Sequence, residues 1–369
     1  MKVAIVHDWL VSYRGGEKVL EAIASLYPEA PIYTLFYDPN KMPRSIRERC
    51  IKYPKSLNIL KPIRKALLPF LPAMVESLPL WDYDLIISTS SCVAKGLIPG
   101  PYAKHICYLH SPMRYIWDQQ DEYLSQFDQI PFIKALIRLA SVKLRLWDMV
   151  SASRVDRFLV NSSFVSMRVG RYYGRQSQVL YPPIDTKFFE SPEKKPKGGY
   201  LLAAGALVHY KRFDLAVHAC ERLGKKLIIA GKGGMEKKLR RIAGRYTEFE
   251  IAPNDDRWRE LLQGADGLIF PGVEDFGMIA IEAMACGTPV IAYEKGGALD
   301  FIEPSVTGVF FAKQDVSSLM AAIEKFGACE FDTSKIVAFA SRFNQDRFKQ
   351  EFLKEVEKTL SMEVKKIEQ

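Results

Sequence analysis

The 369-residue sequence predicts an α/β protein made of two domains with parallel sheets. The chain is longer than one ordinary domain and suits two. Short apolar runs of strand length alternate with helical patterns along most of the chain, which is typical of βαβ units. This alternation stops once, in a stretch rich in Pro, Lys and Gly at residues 178–200, which we interpret as a linker.

The first domain is predicted over residues 1–185, with five apolar runs that read as strands: "KVAIVH", "APIYTLF", "YDLIIST", "KHICYLH" and "RFLVNS". The second domain is predicted over residues 186–342, with six such runs: "YLLAAG", "KLIIAG", "FEIAP", "DGLIFPG", "TPVIAY" and "GVFF". Ligands of open parallel sheets bind beyond the carboxyl ends of the strands. We therefore expect an interdomain cleft, with the functional residues directly after strands.

Residues 343–369 are predicted to form a charged amphipathic helix that crosses back onto the first domain. Four apolar side chains would share one face at helical spacing: Phe343, Phe348, Phe352 and Val356. A longer helical pattern at residues 132–156 precedes the last predicted strand of the first domain.

The composition excludes several classes of protein. The six cysteines are scattered without a C-x-x-C pair, which favours reduced cytosolic thiols over a zinc site or a disulfide framework. The first ten residues are apolar but interrupted by Asp8, and they resemble a buried strand more than a signal peptide. No apolar run has the length of a membrane-spanning helix.

The net charge of +9 is concentrated in the first half of the chain. Residues 41–65 contain nine basic side chains opposed only by Glu48, and an apolar, proline-broken stretch follows at residues 66–81. Such a segment suits an anionic membrane surface, at about 1 kcal/mol for each well-placed cation. We expect peripheral association with the cytoplasmic face of the cell membrane, a solvated loop being the alternative. Nucleic acid is not expected, because no nucleic-acid-binding module accompanies the charge.

The most informative stretch is "VEDFGMIAIEAMACGTPVIAY", in which seven residues separate Glu274 from Glu282. Glu274 stands just before a helix predicted to begin at Met278, and Glu282 lies inside that apolar helix. The backbone N–H groups around Phe276 and Gly277 at the helix entrance can bind a phosphate. A buried glutamate needs hydrogen-bond donors, and a ribose diol offers two of them.

Two candidates follow strands of the first domain. Gly15 and Gly16 precede a helix predicted to start near Glu17, where a bare backbone can approach an anion. A simple turn is the alternative for this glycine pair. His110 follows the fourth predicted strand directly, so its side chain would reach the expected cleft, although a structural histidine is equally compatible with the sequence.

The second domain supplies further candidates after its strands. Lys211 and Arg212 stand at a helix start, where two cations suit a diphosphate that gains charge as it leaves. The glycine-rich turn that begins at Gly231 could also face a nucleotide. Asp255 could accept two hydrogen bonds from guanine, which uracil cannot supply, but Asn254 and Asp255 also stand where a helix N-cap belongs.

Several segments occur in the order found in one large enzyme family: "RGGEKVLEAI", "YLHSPMRYIWD", "VNSSFVSMRVGRYYG", "LYPPIDTKFF", "YKRFDLAV", "GVEDFGMIAIEAMACGTPVIAY" and "KGGALDFI". Together they resemble the retaining glycosyltransferases of GT-B fold, family 4, and in particular their polysaccharide and O-antigen mannosyltransferases. The resemblance implies two Rossmann-like domains. The E-x7-E element is specific for this fold and for retaining chemistry, and much less specific for the sugar.

The resemblance also implies roles for the candidate residues. Glu274 would hold hydroxyls of the donor sugar, and Glu282 would hold the nucleotide ribose. Lys211 would neutralise the leaving group, and His110 would lie beside the transferred sugar. The diphosphate would be held by the backbone amides of Gly15, Gly16, Phe276, Gly277 and Met278.

The sequence departs from the family at Ala206, where many relatives have an arginine. Arg212 and Arg114 are the candidate replacements for the missing cation. We expect no cofactor and no metal, since no D-x-D motif follows a strand.

The expected reaction is transfer of mannose from GDP-mannose to a lipid-linked or polysaccharide acceptor with formation of an α-mannoside. A UDP-sugar transferase, an epimerase of the same fold and a membrane-associated sugar-nucleotide binding protein without activity are the alternatives.

Overall fold

A computed structural model describes residues 1–64, 66–120, 124, 131–190 and 198–361. Lys65 of the basic segment, residues 191–197 of the predicted linker and residues 362–369 of the predicted C-terminal helix lie outside this part. The chain divides into two compact units. The first unit comprises Met1–Tyr181 and Phe348–Gln369, and the second comprises Pro182–Arg347.

The first unit contains a parallel sheet whose seven described strands have the order β3-β2-β1-β4-β5-β6-β7. The strands are β1 Val3–His7, β2 Ile32–Thr34, β3 Ile51–Lys52, β4 Leu85–Ser90, β5 Lys104–Leu109, β6 Arg157–Val160 and β7 Gln178–Val179. The five strands predicted from the sequence are confirmed. The outer strands β3 and β7 were not predicted, because a two-residue strand shows no period. The chain that we interpreted as linker therefore begins with a strand.

Alternating side chains of β1 reach two apolar cores, one on each face of this sheet. Ile5 packs in one cluster, whereas Ala4 and Val6 pack in the other. This period of two is the geometry of a strand that is buried on both faces. The helices of this unit that precede the second unit are α1 Gly15–Leu26, α2 Arg44–Arg47, α3 Leu71–Glu76, α4 Pro131–Ser151 and α5 Ser163–Tyr173.

The second unit contains another parallel sheet, with six described strands in the order β10-β9-β8-β11-β12-β13. They are β8 Leu201–Ala204, β9 Leu227–Gly231, β10 Thr247–Ile251, β11 Gly267–Phe270, β12 Val290–Tyr293 and β13 Gly308–Phe311, and they confirm all six predicted runs. The helices are α6 Thr186–Phe189, α7 Phe213–Leu223, α8 Glu236–Ile242, α9 Asp255–Gly264, α10 Met278–Ala285, α11 Val316–Gly327 and α12 Thr333–Ala340.

The last helix, α13 at Gln345–Ser361, belongs to the first unit from Phe348 onward. Phe348, Phe352 and Val356 pack in the same cluster as Ile5, which confirms the predicted return of this helix. The prediction for Phe343 was wrong. It lies in a 3₁₀ turn before the helix, and its ring packs in the second unit against Phe276 and Phe339, because the helix begins two residues later.

Each sheet reverses its strand order once, between β1 and β4 in the first unit and between β8 and β11 in the second. Helices leave the sheet in opposite directions at such a point and open a crevice at the carboxyl ends of the two strands. The segments that follow these four strands therefore position any ligand site. All six cysteines are described, and none forms a disulfide. In the described chain, every helix is too short or too polar to cross a bilayer.

Candidate active site

The second unit places a lysine and a glutamate together at its reversal point. Lys211 follows β8 and Glu274 follows β11, and Lys211 Nζ donates a hydrogen bond to Glu274 Oε1 at 2.6 Å. The side chains are only 10% and 17% exposed, respectively, so both are largely but not fully withdrawn from water. The sequence singled out each residue separately, and the structure shows that they form an ion pair.

Glycines leave room around Lys211. A Cβ at Gly205, whose φ is +137°, would lie 2.8 Å from Lys211 Nζ. A Cβ at Gly272 would lie 2.8 Å from the Lys211 Cα atom. Side chains at these positions would collide with the lysine, so bare backbone surrounds it.

Another glycine pair fixes the loop that carries Glu274. Gly297 N donates to Glu274 O at 2.9 Å. A Cβ at Gly296, at φ +72°, would lie 2.7 Å from the same carbonyl oxygen, and one at Gly297 would lie 2.5 Å from Asp275 O. The sequence contained this pair in "KGGALDFI" but gave no indication that it supports the Glu274 loop.

Helix α10 begins directly after this loop. Gly277 is its N-cap at φ +105°, and a Cβ there would lie 2.4 Å from Cζ of Phe270. Within the described residues, no side chain caps this end. The amides of Met278 and Ile279 therefore remain suited to an anionic ligand, whereas Ala280 N donates to Gly277 O at 2.9 Å. The helix dipole adds a partial positive charge.

Glu282 lies inside α10 and is 6% exposed, which confirms the burial predicted from the apolar neighbours. Its Oε2 accepts a hydrogen bond from Trp258 Nε1 at 3.2 Å. Sequence reasoning missed Trp258 as a partner. The available signal was a large aromatic residue in the otherwise polar first turns of α9.

Arg212 does not join the Lys211–Glu274 pair. Its backbone has φ +52° at the N-cap of α7, and its guanidinium binds the carboxylate of Asp214 at 3.1 Å. A further contact reaches Gln314 Oε1 at 3.4 Å. The expected second cation is thus neutralised by a carboxylate two residues later in the chain.

The glycine turn after β9 packs against the loop that contains Ala206. Leu207 N donates to Lys232 O at 3.0 Å. A Cβ at Gly231 would lie 1.8 Å from Gly205 O, and one at Gly233 would lie 2.3 Å from Leu207 O. These glycines are therefore needed for the close approach of two loops, a role that the nucleotide-facing interpretation did not include.

Asn254, not Asp255, is the N-cap of α9, since the Asn254 Oδ1 atom accepts from Arg257 N at 2.8 Å. Asp255 is the first helical residue and is exposed. Its proposed contact with guanine remains a prediction.

In the first unit, Gly15 and Gly16 form the start of α1, two residues earlier than predicted. A Cβ at Gly16 would lie 3.5 Å from His110 Nε2, so the backbone of Gly16 lies close to this edge of the imidazole ring. His110 Nε2 is buried and has no hydrogen-bond partner in the described chain. Burial, assisted by the nearby His7, lowers the pKa of His110 to about 3, so the ring is neutral at pH 7.

A second histidine lies next to this group and was missed by sequence reasoning. His7 ends β1, and its Nδ1 is 2.6 Å from Thr89 Oγ1. Its Nε2 is 3.9 Å from a carboxylate oxygen of the buried Glu17. The available signal was the position of His7 at the reversal point, one residue before Asp8.

Asp8 has a structural role at the same edge. Its carboxylate accepts hydrogen bonds from the backbone amides of Ser91–Ala94 at 2.6–2.9 Å. Asp8 therefore fixes the segment after β4. No group of three His, Cys, Asp or Glu side chains with metal-binding geometry occurs in the part of the chain that the structure covers.

Residues 184–342, nearly the whole second unit, match the family model of the group 1 glycosyl transferases. Two parallel sheets with a lysine–glutamate pair at the reversal point of the second one agree with this match. The second unit therefore matches this family, also called GT4, and the chain has the GT-B fold.

Among curated proteins, the chain is 28% identical to human alpha-1,3/1,6-mannosyltransferase ALG2 over 66% of this chain and 65% of that protein. It is 26% identical to the human GDP-Man:Man(3)GlcNAc(2)-PP-Dol alpha-1,2-mannosyltransferase over 97% and 87%, respectively. An uncharacterized glycosyltransferase of Methanocaldococcus jannaschii is 30% identical over 34% of this chain. The matches span 35% of the archaeal protein and about two thirds of ALG2.

Solved structures share the fold. Anabaena HepE in complex with UDP superimposes with a TM-score of 0.69 at 18% identity, covering 97% of this chain and 100% of that one. Sucrose-phosphate synthase from Thermosynechococcus elongatus gives a TM-score of 0.73 at 18% identity, covering 98% and 100%.

Proposed function

We propose that this protein is a retaining glycosyltransferase that moves mannose from GDP-mannose to a lipid-linked or polysaccharide acceptor and forms an α-mannoside. The observation that carries the proposal is the Lys211–Glu274 pair at the reversal point of the second sheet, beside the start of α10. The human relatives named as mannosyltransferases support mannose as the transferred sugar.

The chemistry of the leaving group fits this arrangement. A nucleoside diphosphate gains negative charge as its bond to the sugar breaks. Lys211 and the first-turn amides of α10 are positive groups held in place before the reaction, so they stabilise the transition state more than the ground state. We assign Phe276, Gly277 and Met278 to the diphosphate, and no metal is required in this scheme.

The two glutamates have separate tasks in the proposal. Glu274 accepts from hydroxyls of the donor sugar, and its bond to Lys211 fixes the carboxylate. Glu282 accepts from the ribose diol, and the indole of Trp258 orients that carboxylate from the opposite element α9.

The first unit supplies His110 and the glycine pair. A neutral imidazole can accept from, or donate to, a sugar hydroxyl without introducing a charge. His110 Nε2 is buried but has no hydrogen-bond partner in the described chain. A ligand that forms a hydrogen bond with this atom would remove the energetic cost of leaving it unpaired. We assign His110 to the transferred sugar and the amides of Gly15 and Gly16 to the diphosphate.

The proposed reaction uses no separate protein nucleophile. The acceptor hydroxyl attacks from the face that the diphosphate vacates, a diphosphate oxygen removes its proton, and the anomeric configuration is retained. We further propose that residues 41–65 attract the protein to the cytoplasmic face of the cell membrane, where a lipid-linked acceptor would lie.

A uridine-linked donor is the second candidate. Asp255 is exposed at the start of α9. A carboxylate in water gains little selectivity from two hydrogen bonds to guanine, because water competes for them.

The test is a calorimetric titration of the protein with GDP, UDP, GDP-mannose and UDP-glucose, without metal. The proposal expects clear preference for the guanine ligands, and Asp255→Asn should then weaken GDP and leave UDP unchanged. Preference for uridine would overturn the donor and keep the family chemistry. If none of the four ligands bound, a protein without transferase activity would be favoured. The absence of the usual arginine at Ala206 would then be the candidate cause.

A further inference from the structure

Helix α4, Pro131–Ser151, has one buried side and one exposed apolar side. Ser141, Leu144 and Asp148 are buried against the rest of the first unit. The opposite side carries seven large apolar side chains that are 45–73% exposed: Phe132, Leu136, Leu139, Val142, Leu146, Met149 and Val150. We call these seven side chains the α4 apolar face.

The α4 apolar face is continuous along the helix. At 3.6 residues per turn, its members fall within an arc of roughly 140° over more than four turns. Single exposed apolar residues are ordinary, but a contiguous apolar surface of this length marks a contact with a partner or a membrane.

The charges of α4 indicate which partner fits. The helix contains four basic residues, Lys134, Arg138, Lys143 and Arg145, and one acidic residue, Asp148. Asp148 is fully buried beside Lys95, so the exposed surface of α4 carries basic groups and no carboxylate. By helical position, Arg138 and Arg145 line one edge of the apolar face, and Lys143 lies within it.

We propose that the α4 apolar face inserts into the headgroup region of an anionic membrane, with the basic residues of α4 on lipid phosphates. A helix with an apolar side and basic flanks binds membranes in this way, parallel to the surface. A second copy of the chain fits less well, because a two-fold contact places the same basic residues against each other.

This inference extends the membrane contact of the proposed function, which rested on the charge of residues 41–65. It does not depend on the donor or on transfer activity. Both elements belong to the first unit, and α3, which follows the basic segment, contacts α4 through Trp147 Nε1 and Glu76 Oε1 at 2.8 Å. The basic segment supplies charge, whereas α4 adds apolar side chains that can enter the bilayer.

The experiment is flotation of the full chain with vesicles of phosphatidylcholine, with and without about 30% phosphatidylglycerol. We expect binding to the anionic vesicles, and a loss of about ten-fold or more in the double variant Leu139→Glu/Leu146→Glu. The matched control is Met167→Glu/Leu353→Glu, which adds the same charge at exposed apolar positions on α5 and α13. This control should bind vesicles like the original chain.

Additional measurements keep the test decisive. Circular dichroism and urea unfolding establish that each variant is folded, independently of vesicle binding and of the donor. Unchanged flotation of Leu139→Glu/Leu146→Glu would overturn the proposal. The proposal would also be overturned if the original chain did not bind anionic vesicles and formed a dimer in solution that Leu139→Glu/Leu146→Glu dissociates. The α4 apolar face would then bind a second copy of the chain.

Discussion

The two units each contain a lysine–carboxylate pair, and the pairs differ in burial. Lys211 and Glu274 in the second unit are close to solvent and joined at 2.6 Å. Lys95 and Asp148 in the first unit are both 0% exposed, with Nζ and Oδ1 3.0 Å apart. One pair therefore remains accessible to a ligand and the other does not.

The environment of Lys95 is saturated by the protein. Its Nζ also donates to Asp148 O at 2.6 Å and to Ser151 Oγ at 2.8 Å, and it lies 4.8 Å from the ring centroid of Tyr173. Trp117 and Tyr173 donate to the Asp148 carboxylate at 2.7 and 2.9 Å. A buried ion pair needs such partners, because its charges have lost their hydration.

The comparison teaches how a structural ion pair differs from a functional one. In the first unit the protein satisfies the charges, so removing one partner should affect folding. In the second unit, Lys211 contacts one carboxylate, that of Glu274, among the residues that the structure describes, and it keeps access to solvent. Removing that lysine should affect chemistry.

The largest expected effect concerns the structural role of the Lys95–Asp148 pair in the first unit. Lys95→Met leaves Asp148 as an uncompensated buried charge and should destabilise the first unit by about 3–5 kcal/mol. Urea unfolding followed by tryptophan fluorescence measures this, since Trp9, Trp81, Trp117 and Trp147 lie in that unit. A loss below about 1 kcal/mol in the free energy of unfolding would contradict the structural role of Lys95, because an exposed ion pair contributes as much.

The next effect concerns the Lys211–Glu274 pair, to which we assign a role in the reaction. Lys211→Met should slow the proposed mannosyl transfer by roughly 10²–10³-fold, because in that reaction the leaving diphosphate would lose its cation. Its free energy of unfolding should change less than that of Lys95→Met, because the Lys211–Glu274 pair keeps some access to water. Lys226→Met is the matched control, since it removes an exposed lysine that pairs with Glu248 at 3.0 Å in the same unit. A control that slows transfer equally would contradict the assignment.

A smaller effect separates the two glutamates. Glu282→Ala should weaken GDP-mannose binding about ten-fold, because it removes the acceptor that we propose for the ribose hydroxyls. Glu274→Ala should chiefly slow the transfer step. Calorimetry measures the affinity for the donor. Initial rates at saturating donor measure the rate of the transfer step. Equal losses of affinity in both variants would remove the proposed division of roles.

A further effect is the pH dependence of stability in the first unit. Burial lowers the pKa of His105 to about 3, and its ring nitrogens contact Ser88 Oγ at 2.8 Å and Arg154 O at 3.3 Å. Below pH 6.5 the unfolded chain binds a proton that the folded chain does not bind until about pH 3. The free energy of unfolding should therefore decrease as the pH is lowered through this window, by about 1.4 kcal/mol per pH unit.

The measurement for this prediction is urea unfolding at several pH values between 6.5 and 4. His105→Gln should reduce the slope, because the titrating group is gone. His110 contributes in the same direction, since its pKa is also lowered to about 3 by burial. A slope that His105→Gln leaves unchanged would show that other groups dominate.

The strands were predictable where they were long enough to show a period. Eleven apolar runs correspond to strands of three or more residues, whereas β3 and β7 have two residues each and no local signal. Phe343 was wrongly assigned to the helical face of α13, since it precedes the helix and its five-residue spacing to Phe348 does not match that face. Only the packing of its ring against Phe276 shows that it belongs to the second unit.

The candidate site was predictable in its residues but not in its contacts. Glu282 was expected to be buried, since its neighbours in α10 are apolar. The bond between Lys211 and Glu274 spans 63 residues, and it exists because β8 and β11 are adjacent in the sheet. The contact of Trp258 with Glu282 likewise depends on how α9 packs on α10.

The sequence by itself determined the α/β class, the strand order along the chain and the carboxylate-bearing loop and helix of the second unit. These features are local, because period, glycines and charge spacing act within a few residues of one another. The tertiary structure decided which lysine is buried with Asp148 and which pairs with Glu274, and it left the apolar side of α4 exposed. Those outcomes depend on burial and on contacts between distant segments, which no local pattern specifies.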